Sequence, residues 1–398
     1  MNCCTIAYSF YERDQRVHRY AEALVQQGWN ADSLSLGRDH KTQTKMLNGV
    51  RIYHIQNRAY TEKNFWGYFV RILKFFVAGT IVLSFKHLRK PYQLIHVHNV
   101  PDFLVFMTVI PKLTGAKVIL DIHDILPEFF CQKFNHPFGS LLSRILLLTE
   151  NISVRFADYV ITANDVWREK IIARNKLPAQ KCLTLLNYPH TGIFNDCHTQ
   201  RREGRLNIIY PGHLSHHHGV DITFHAMTII KKKIPFARLD VYPASWVMRY
   251  REFLEKLVRE LELESCVRFH ETAPLESLVK VYAESDIGLV SKRPGIFSSE
   301  AFSTKIFDFM AAGIPIVATK TKIDEYYFDD SIITFCAPED SADMAEKVLG
   351  LYSDPGLMTA KAKRGREYAA SNTWHIKKQT YLDAVSALVP KSKSTDVR

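Results

Sequence analysis

Residues 298–319 read SSEAFSTKIFDFMAAGIPIVAT, and the remainder of the chain can be placed from them. Ile306, Phe307, Met310 and Ala311 recur at helical spacing and give a helix its apolar face. Ser303 and Thr304 stand at its start, where hydroxyls can cap free backbone N–H groups. Gly313 stands at its end, where a left-handed residue closes a helix. Pro315 follows, and Ile316, Val317 and Ala318 then read as a buried strand. Glu300 precedes the helix, while Lys305 and Asp308, three apart, lie side by side on it. The unit thus brings two carboxylates and a helix N-terminus to the carboxyl edge of a preceding strand. Anionic ligands bind at that edge in open α/β sheets.

Working outward, strands are expected at 206–210, 238–242, 267–270, 287–290, 316–319 and 332–335, alternating with helices at 222–233 and 249–261. Gly212-His213-Leu214 and His216-His217-His218-Gly219 fall between the first strand and first helix of this half. Backbone N–H groups and cationic side chains there can cradle a phosphate. Three histidines in a row cannot converge on one ion, and no DxD-type carboxylate pair stands beside the site, so no metal is expected. Helices at 341–351, 356–370 and 374–388 follow, with a disordered tail expected over 391–398.

The first half has the same alternation. Strands are expected at 3–9, 31–36, 50–54, 94–97, 117–121, 159–163 and 182–186. Helices are expected at 16–27, 103–113, 141–156 and 165–174, and residues 195–205 read as a polar linker. Strand 117–121 runs directly into Asp121-Ile122-His123-Asp124-Ile125-Leu126-Pro127-Glu128, again on a ligand-binding edge. His123 can hydrogen-bond a substrate hydroxyl or assist proton transfer; alternatively it pairs with Asp124 and shapes the loop. Residues 64–90 interleave aromatic and basic side chains, which suits either a membrane interface or packing against the sheet. Its longest strongly apolar run, 75–85, is too short to span a bilayer.

The chain has 398 residues, enough for two domains, with 46% hydrophobic and 23% charged residues, as in a soluble globular protein. Net charge is +11, and residues 1–200 hold 24 Lys+Arg against 15 Asp+Glu, so the first half carries most of the excess. That suits an anionic partner, whether lipid headgroups, a phosphorylated substrate or nucleic acid, and equally suits solubility alone. No nucleic-acid-binding motif accompanies the charge. The seven cysteines are odd in number and form no CxxC pair, which suits reduced thiols in the cytoplasm. The N-terminus lacks a basic segment before its apolar run, so no signal peptide is expected.

These residues carry a resemblance to the retaining glycosyltransferases of family 4, or group 1, with the GT-B fold. Glu300, seven residues and Asp308 resemble that family's E-x7-E motif. Residues 121–128 resemble its HD-and-PE element, Asp14, Arg16 and Val17 its D-x-R-V segment, and residues 212–221 its G-R-L-x-x-x-K-G loop. The resemblance implies two Rossmann-like domains facing a cleft: residues 1–195 binding the acceptor, and 206–373 binding a nucleotide sugar. A linker at 196–205 would join them, with a final helix at 374–390 crossing back to the first.

It implies that Glu300 contacts the donor sugar and Asp308 the ribose. It also implies that Ser303, Thr304, Gly212, His213 and His218 line the donor site, and that Arg16, Asp124 and Glu128 lie on the acceptor side near His123. His213 and His218 stand where the family has fixed cations, so Lys292, Arg293 and Lys305 are expected to neutralise the diphosphate without a metal or other cofactor. The implied activity is sugar transfer to a glycan or lipid-linked acceptor in surface polysaccharide or glycolipid assembly, at the cytoplasmic face of a membrane. A sugar-nucleotide epimerase or a non-catalytic binding subunit of the same fold are the alternatives.

Overall fold

A computed structural model describes residues 1–38, 44–58, 65–189, 191–194 and 204–390. Residues 196–203 of the expected linker and the whole expected tail, 391–398, lie outside the described residues. The chain divides into one compact unit of Met1–Asn187 with Lys377–Arg398, and a second of Tyr188–Ile376. The second unit begins before the expected linker because Tyr188 packs on Phe307 and Phe194 on Tyr282, with ring centroids 6.2 and 5.7 Å apart.

The strands of the first unit are β1 (Asn2–Ile6), β2 (Asn30–Gly37), β3 (Thr44–Leu47), β4 (Val50–Asn57), β5 (Leu94–His98), β6 (Lys117–Ile122), β7 (Tyr159–Thr162) and β8 (Cys182–Thr184). They form one sheet in the order β3-β4-β2-β1-β5-β6-β7-β8, parallel except for the antiparallel β3 at one edge. Every residue of β5 is buried, as a strand covered on both faces requires. Its helices are α1 (Gln15–Gln26), α2 (Phe65–Arg89), α3 (Val109–Leu113), α4 (Leu126–Phe134), α5 (Leu141–Phe156) and α6 (Asp165–Asn175), with a 3₁₀ segment Asp102–Thr108 ahead of α3. The chain steps from β1 to β2 in one direction and from β4 through β8 in the other. Right-handed crossovers therefore place α2, α3 and α5 on the face opposite α1.

In the second unit, β9 (Leu206–Leu214), β10 (Ala237–Trp246), β11 (Val267–Phe269), β12 (Ile287–Val290), β13 (Ile316–Thr319) and β14 (Ile333–Cys336) form an all-parallel sheet. Its order is β11-β10-β9-β12-β13-β14. The helices are α7 (Val220–Lys233), α8 (Met248–Glu260), α9 (Leu275–Ala283), α10 (Thr304–Ala312), α11 (Lys322–Tyr327), α12 (Ser341–Ser353), α13 (Pro355–Ser371) and α14 (Trp374–Leu388). The last of these starts in the second unit and ends in the first, where Tyr381 is buried with its ring 4.6 Å from that of Tyr20. Strand order reverses between β1 and β5 in one sheet and between β9 and β12 in the other. Ligand sites form at such switch points.

Some elements differ from expectation. β9 runs on through Gly212-His213-Leu214, which the sequence reading gave to a loop, because β10 is long enough to pair with it as far as Trp246. α2 is one unbroken helix, and its Gly67–Arg89 stretch is long and apolar enough to cross a membrane by length and composition. The run 75–85 marks only the middle of this helix, because isolated cations do not interrupt a helix. β3, α4, α9 and α11 were not among the expected elements; α4 and α9 have helical spacing, but over only nine residues each.

Candidate active site

α10 begins at Thr304 and closes at Gly313 in the left-handed conformation, φ 72°. It lies close over β12 because Gly288 has no side chain; a Cβ there would sit 2.6 Å from the Phe309 ring. Ser303 is the N-cap residue but makes no capping side-chain hydrogen bond, and Thr304 is exposed, contrary to the expected hydroxyl capping. Ser303 keeps an extended backbone, φ −90° and ψ 110°, and the first turn closes instead through Ile306 N–H to the Ser303 carbonyl at 3.1 Å. The helix N-terminus thus retains backbone donors for a ligand.

Lys305, in that first turn, folds back toward the end of β9. Its Nζ is 4.4 Å from the centroid of the Tyr210 ring and 3.4 Å from the Tyr210 hydroxyl. Gly212, at φ 150°, makes room for it, since a Cβ at that position would lie 2.7 Å from Nζ. Burial, reinforced by the charge of Lys292 and opposed by Asp324, pushes the Lys305 ammonium down to about 7. His213 and His218 face each other at 5.8 Å between rings. His213 Nδ1 bonds Ser245 Oγ, and His218 Nδ1 lies 2.8 Å from Ser215 Oγ. Burial, then the Lys305 charge, holds both imidazoles below their ordinary range, so both are neutral near pH 7.

The loops after β9 and β12 are joined: Ser291 Oγ donates to the His218 carbonyl at 2.9 Å, and Arg293 N–H to that of His217 at 3.0 Å. Gly212, His213, His218 and Lys305 therefore meet at the switch point of the second sheet.

Two expected cations do not join them as free charges. Lys292 is buried, with Nζ 2.7 Å from Asp324 Oδ2 and 3.1 Å from the Ala301 carbonyl. Arg293 pairs with both carboxylate oxygens of Asp221, with Glu339 and with the His216 carbonyl. Both brace the loops instead. Lys292→Met is accordingly expected to leave Asp324 buried without its charge partner and to cost about 3–5 kcal/mol of stability, read as a fall in the urea midpoint.

Glu300 is 8% exposed, and its Oε1 accepts from Lys322 Nζ at 3.0 Å. Lys322 was missed in the sequence. It opens α11 just after β13, the strand beside β12, and that adjacency was the available signal. Asp308 lies one turn along α10 from Lys305, and its charge adds to burial in raising the Tyr282 phenol.

In the first unit, His123 follows β6 at its carboxyl end. Asn99 fixes this loop: its Oδ1 accepts from the N–H groups of His123 (3.0 Å) and Asp124 (3.4 Å). Its Nδ2 donates to the Asp124 carbonyl at 2.7 Å and to Asp102 Oδ1 at 2.8 Å. The loop is thus shaped by Asn99 through the backbone. The Nδ1 atom of His123 is buried with no hydrogen-bond partner. Burial raises the Asp124 carboxyl, against the charges of His123 and Arg16. Asn99→Ala is expected to unfasten His123 and Asp124 at about 1–3 kcal/mol per orphaned group. Faster amide exchange at both residues with a lowered melting temperature would show it.

Arg16 and Glu128, expected on the acceptor side, are instead buried struts. Arg16 forks onto Asp121 at 2.7 and 2.8 Å and donates to the Leu185 carbonyl at 2.8 Å. Burial raises the Asp121 carboxyl, but Arg16 and His98 hold it well below the usual range. Glu128 accepts from Arg174 at 2.6 Å. Asp121 also lies with His96 and His98 in a buried cluster whose ligand-type atoms fall within 4.8 Å, but its carboxylate is already taken by Arg16 and His98.

Residues 14–187 match a family model described as a glycosyl transferase 4-like domain, and residues 205–354 one for glycosyl transferases group 1. D-inositol 3-phosphate glycosyltransferase of Corynebacterium jeikeium (strain K411) is 29% identical over 140 residues, 35% of this chain and 32% of that protein, so the match spans about a third of that relative. Sucrose-phosphate synthase from Thermosynechococcus elongatus has a similar structure, with TM-score 0.75 and 17% identity over 97% of this chain and 100% of that one. HepE of Anabaena, in a complex with UDP and glucose, gives TM-score 0.71 and 14% identity over 97% and 100%. The two family models take in the second sheet, the first sheet except β1, and both candidate edges, and the chain belongs to the group 1 glycosyltransferases, with the GT-B fold.

Proposed function

We propose that the protein is a retaining glycosyltransferase that moves a hexosyl group from a nucleotide-diphosphate sugar to a hydroxyl of a glycan or lipid-linked acceptor. The setting we propose is surface polysaccharide or glycolipid assembly at the cytoplasmic face of a membrane. The observation that carries the reading is the Lys305 ammonium beside Gly212, next to the N-terminus of α10 that no side chain caps. A cation and free backbone donors at a sheet switch point suit a diphosphate. HepE was solved with UDP-glucose, which makes UDP-sugars the first donors to test.

In this reading the diphosphate lies against Lys305 and the backbone of Gly212, with neutral His213 and His218 giving hydrogen bonds. Asp308 takes the ribose hydroxyls, and Glu300, oriented by Lys322, faces the sugar. The acceptor oxygen bonds to the anomeric carbon as the bond from that carbon to the β-phosphate oxygen breaks. The electron pair leaves with the phosphate, and the acceptor proton passes to the diphosphate on the same face. Retention of configuration follows. Lys305 and the α10 N–H groups stabilise the charge growing on the leaving group, so the step needs no metal. His123, with its buried Nδ1 unpartnered, accepts from an acceptor hydroxyl and orients it.

The test is to incubate the protein with UDP-, GDP- and ADP-sugars, with and without glycan and lipid-linked acceptors, and follow nucleotide release and the anomeric proton coupling of the product. Acceptor-dependent release with retained configuration is expected. Conversion of the donor sugar without any acceptor would instead support an epimerase.

A further inference from the structure

We propose that α2, α3 and α5 form a face of the first unit that docks on the surface of an anionic lipid bilayer. α2 is divided lengthwise. Ile72, Phe75, Leu83 and His87 are buried on the sheet side. On the other side Val77, Ile81, Phe85 and Leu88 are exposed, Ile81 and Leu88 by 65% each. α5 repeats the pattern: Leu141, Ile145, Leu148 and Ile152 recur at helical spacing and are all exposed, Leu141 by 77%.

The 3₁₀ segment ties the two helices into one layer. Phe103 packs on Phe76 of α2 at 5.7 Å, and Phe106 on Phe156 of α5 at 5.2 Å. α3 follows that segment and exposes Leu113 by 82%. Two apolar stripes and the end of α3 thus lie in one layer on the same face of the sheet. Exposed apolar surface gathered on one face in this way marks a docking site.

The charges around the stripes identify the occupant. Lys74, Arg89, Lys90, Arg144 and Arg155 are exposed along α2, just after it, and on α5. α2 contains no acidic residue, and the one in α5, Glu150, is buried with Arg174 and Asn175 bonded to it. An apolar strip whose exposed charges on α2 and α5 are cations complements acyl chains beneath anionic headgroups. A second copy of the same face would bring cation against cation.

The geometry is that of a helix lying in the interface. Although Gly67–Arg89 is long enough to cross a bilayer, one side of it is part of the domain core. His87 fastens its end by accepting from Tyr92 N–H at 3.1 Å and bonding Thr114 Oγ1 at 2.8 Å. Leaving the sheet to span a membrane would expose that core.

The test is sedimentation of the full chain with phosphatidylcholine vesicles, with and without one-third phosphatidylglycerol, at low and high salt. A double variant, Ile81→Glu with Leu88→Glu, is compared with wild type, its fold checked by thermal melting and by UDP affinity. The expected result is at least tenfold tighter binding to anionic than to neutral vesicles, weakened by salt and lost at least tenfold in the variant, with melting and UDP affinity unchanged. Absence of vesicle binding, or binding indifferent to the substitutions, overturns the proposal. So does a dimer in solution that the substitutions dissociate while no vesicles are bound, which gives the face to a second copy.

Discussion

Lys305→Met is expected to weaken UDP binding by about 10- to 100-fold while changing affinity for uridine little, as for a charge-assisted hydrogen bond worth about 1.5–3 kcal/mol. Of the three cations that the sequence offered, Lys292 is paired with Asp324 and Arg293 with Asp221. Lys305 rests on a tyrosine ring instead. Removing its charge leaves neutral imidazoles and backbone N–H groups to face the diphosphate. His213→Ala, which removes one neutral donor, is expected to cost about 0.5–1.5 kcal/mol, or no more than about tenfold.

The same residue sets a pH dependence. Burial, then the Lys292 charge, pushes the Lys305 ammonium down to about 7 in the free protein. A bound diphosphate favours the protonated form and raises that value. Below the free value Lys305 is already charged and affinity is flat. Above it each binding event takes up a proton, so affinity falls as pH rises, approaching tenfold per pH unit until the raised value in the complex is reached. Lys305→Arg stays charged throughout and is expected to flatten the profile between pH 6 and 9.

Glu300→Gln is expected to lower turnover on the order of 10²–10³-fold, the scale for removing one electrostatic contact made in the transition state, with UDP affinity within a few-fold of wild type. The carboxylate is nearly buried, but its partner Lys322 is 62% exposed and free to move when substrate arrives. Lys322→Met is expected to raise KM with a smaller effect on turnover, as for a positioning residue. Full turnover in Glu300→Gln would remove Glu300 from the reaction. Lost UDP affinity would make it part of the nucleotide site instead.

What was legible in the sequence was whatever depends on local pattern. Residues 316–319 and 287–290 are short, mostly apolar runs, and both are strands of those bounds. Residues 141–156 carry helical periodicity behind Ser140, which caps α5 through Ser143 N–H. The charge partners were not legible, because they are set by which strand ends become neighbours. Asp324 and Lys292 are 32 residues apart, Asp221 and Arg293 72, and Arg16 and Asp121 105. Each of those cations looked available until its partner was placed.

Lys305 and Gly212 were both legible as candidates, but their contact follows only from β9 lying beside β12. Asn99 was passed over because its role is made by one amide reaching two backbone N–H groups 24 and 25 residues away.

The claim on which the rest depends is that the carboxyl edge of the second sheet, at Lys305 and Gly212, holds the donor diphosphate. Calorimetric titration of UDP, GDP and ADP into the full chain at pH 6.5 and 8.5 tests it most directly. The account predicts one site for at least one of them, weaker at pH 8.5 with proton uptake, and lost by tenfold or more in Lys305→Met. Binding that is unchanged by pH and by that substitution, or no binding of any nucleoside diphosphate, would contradict it.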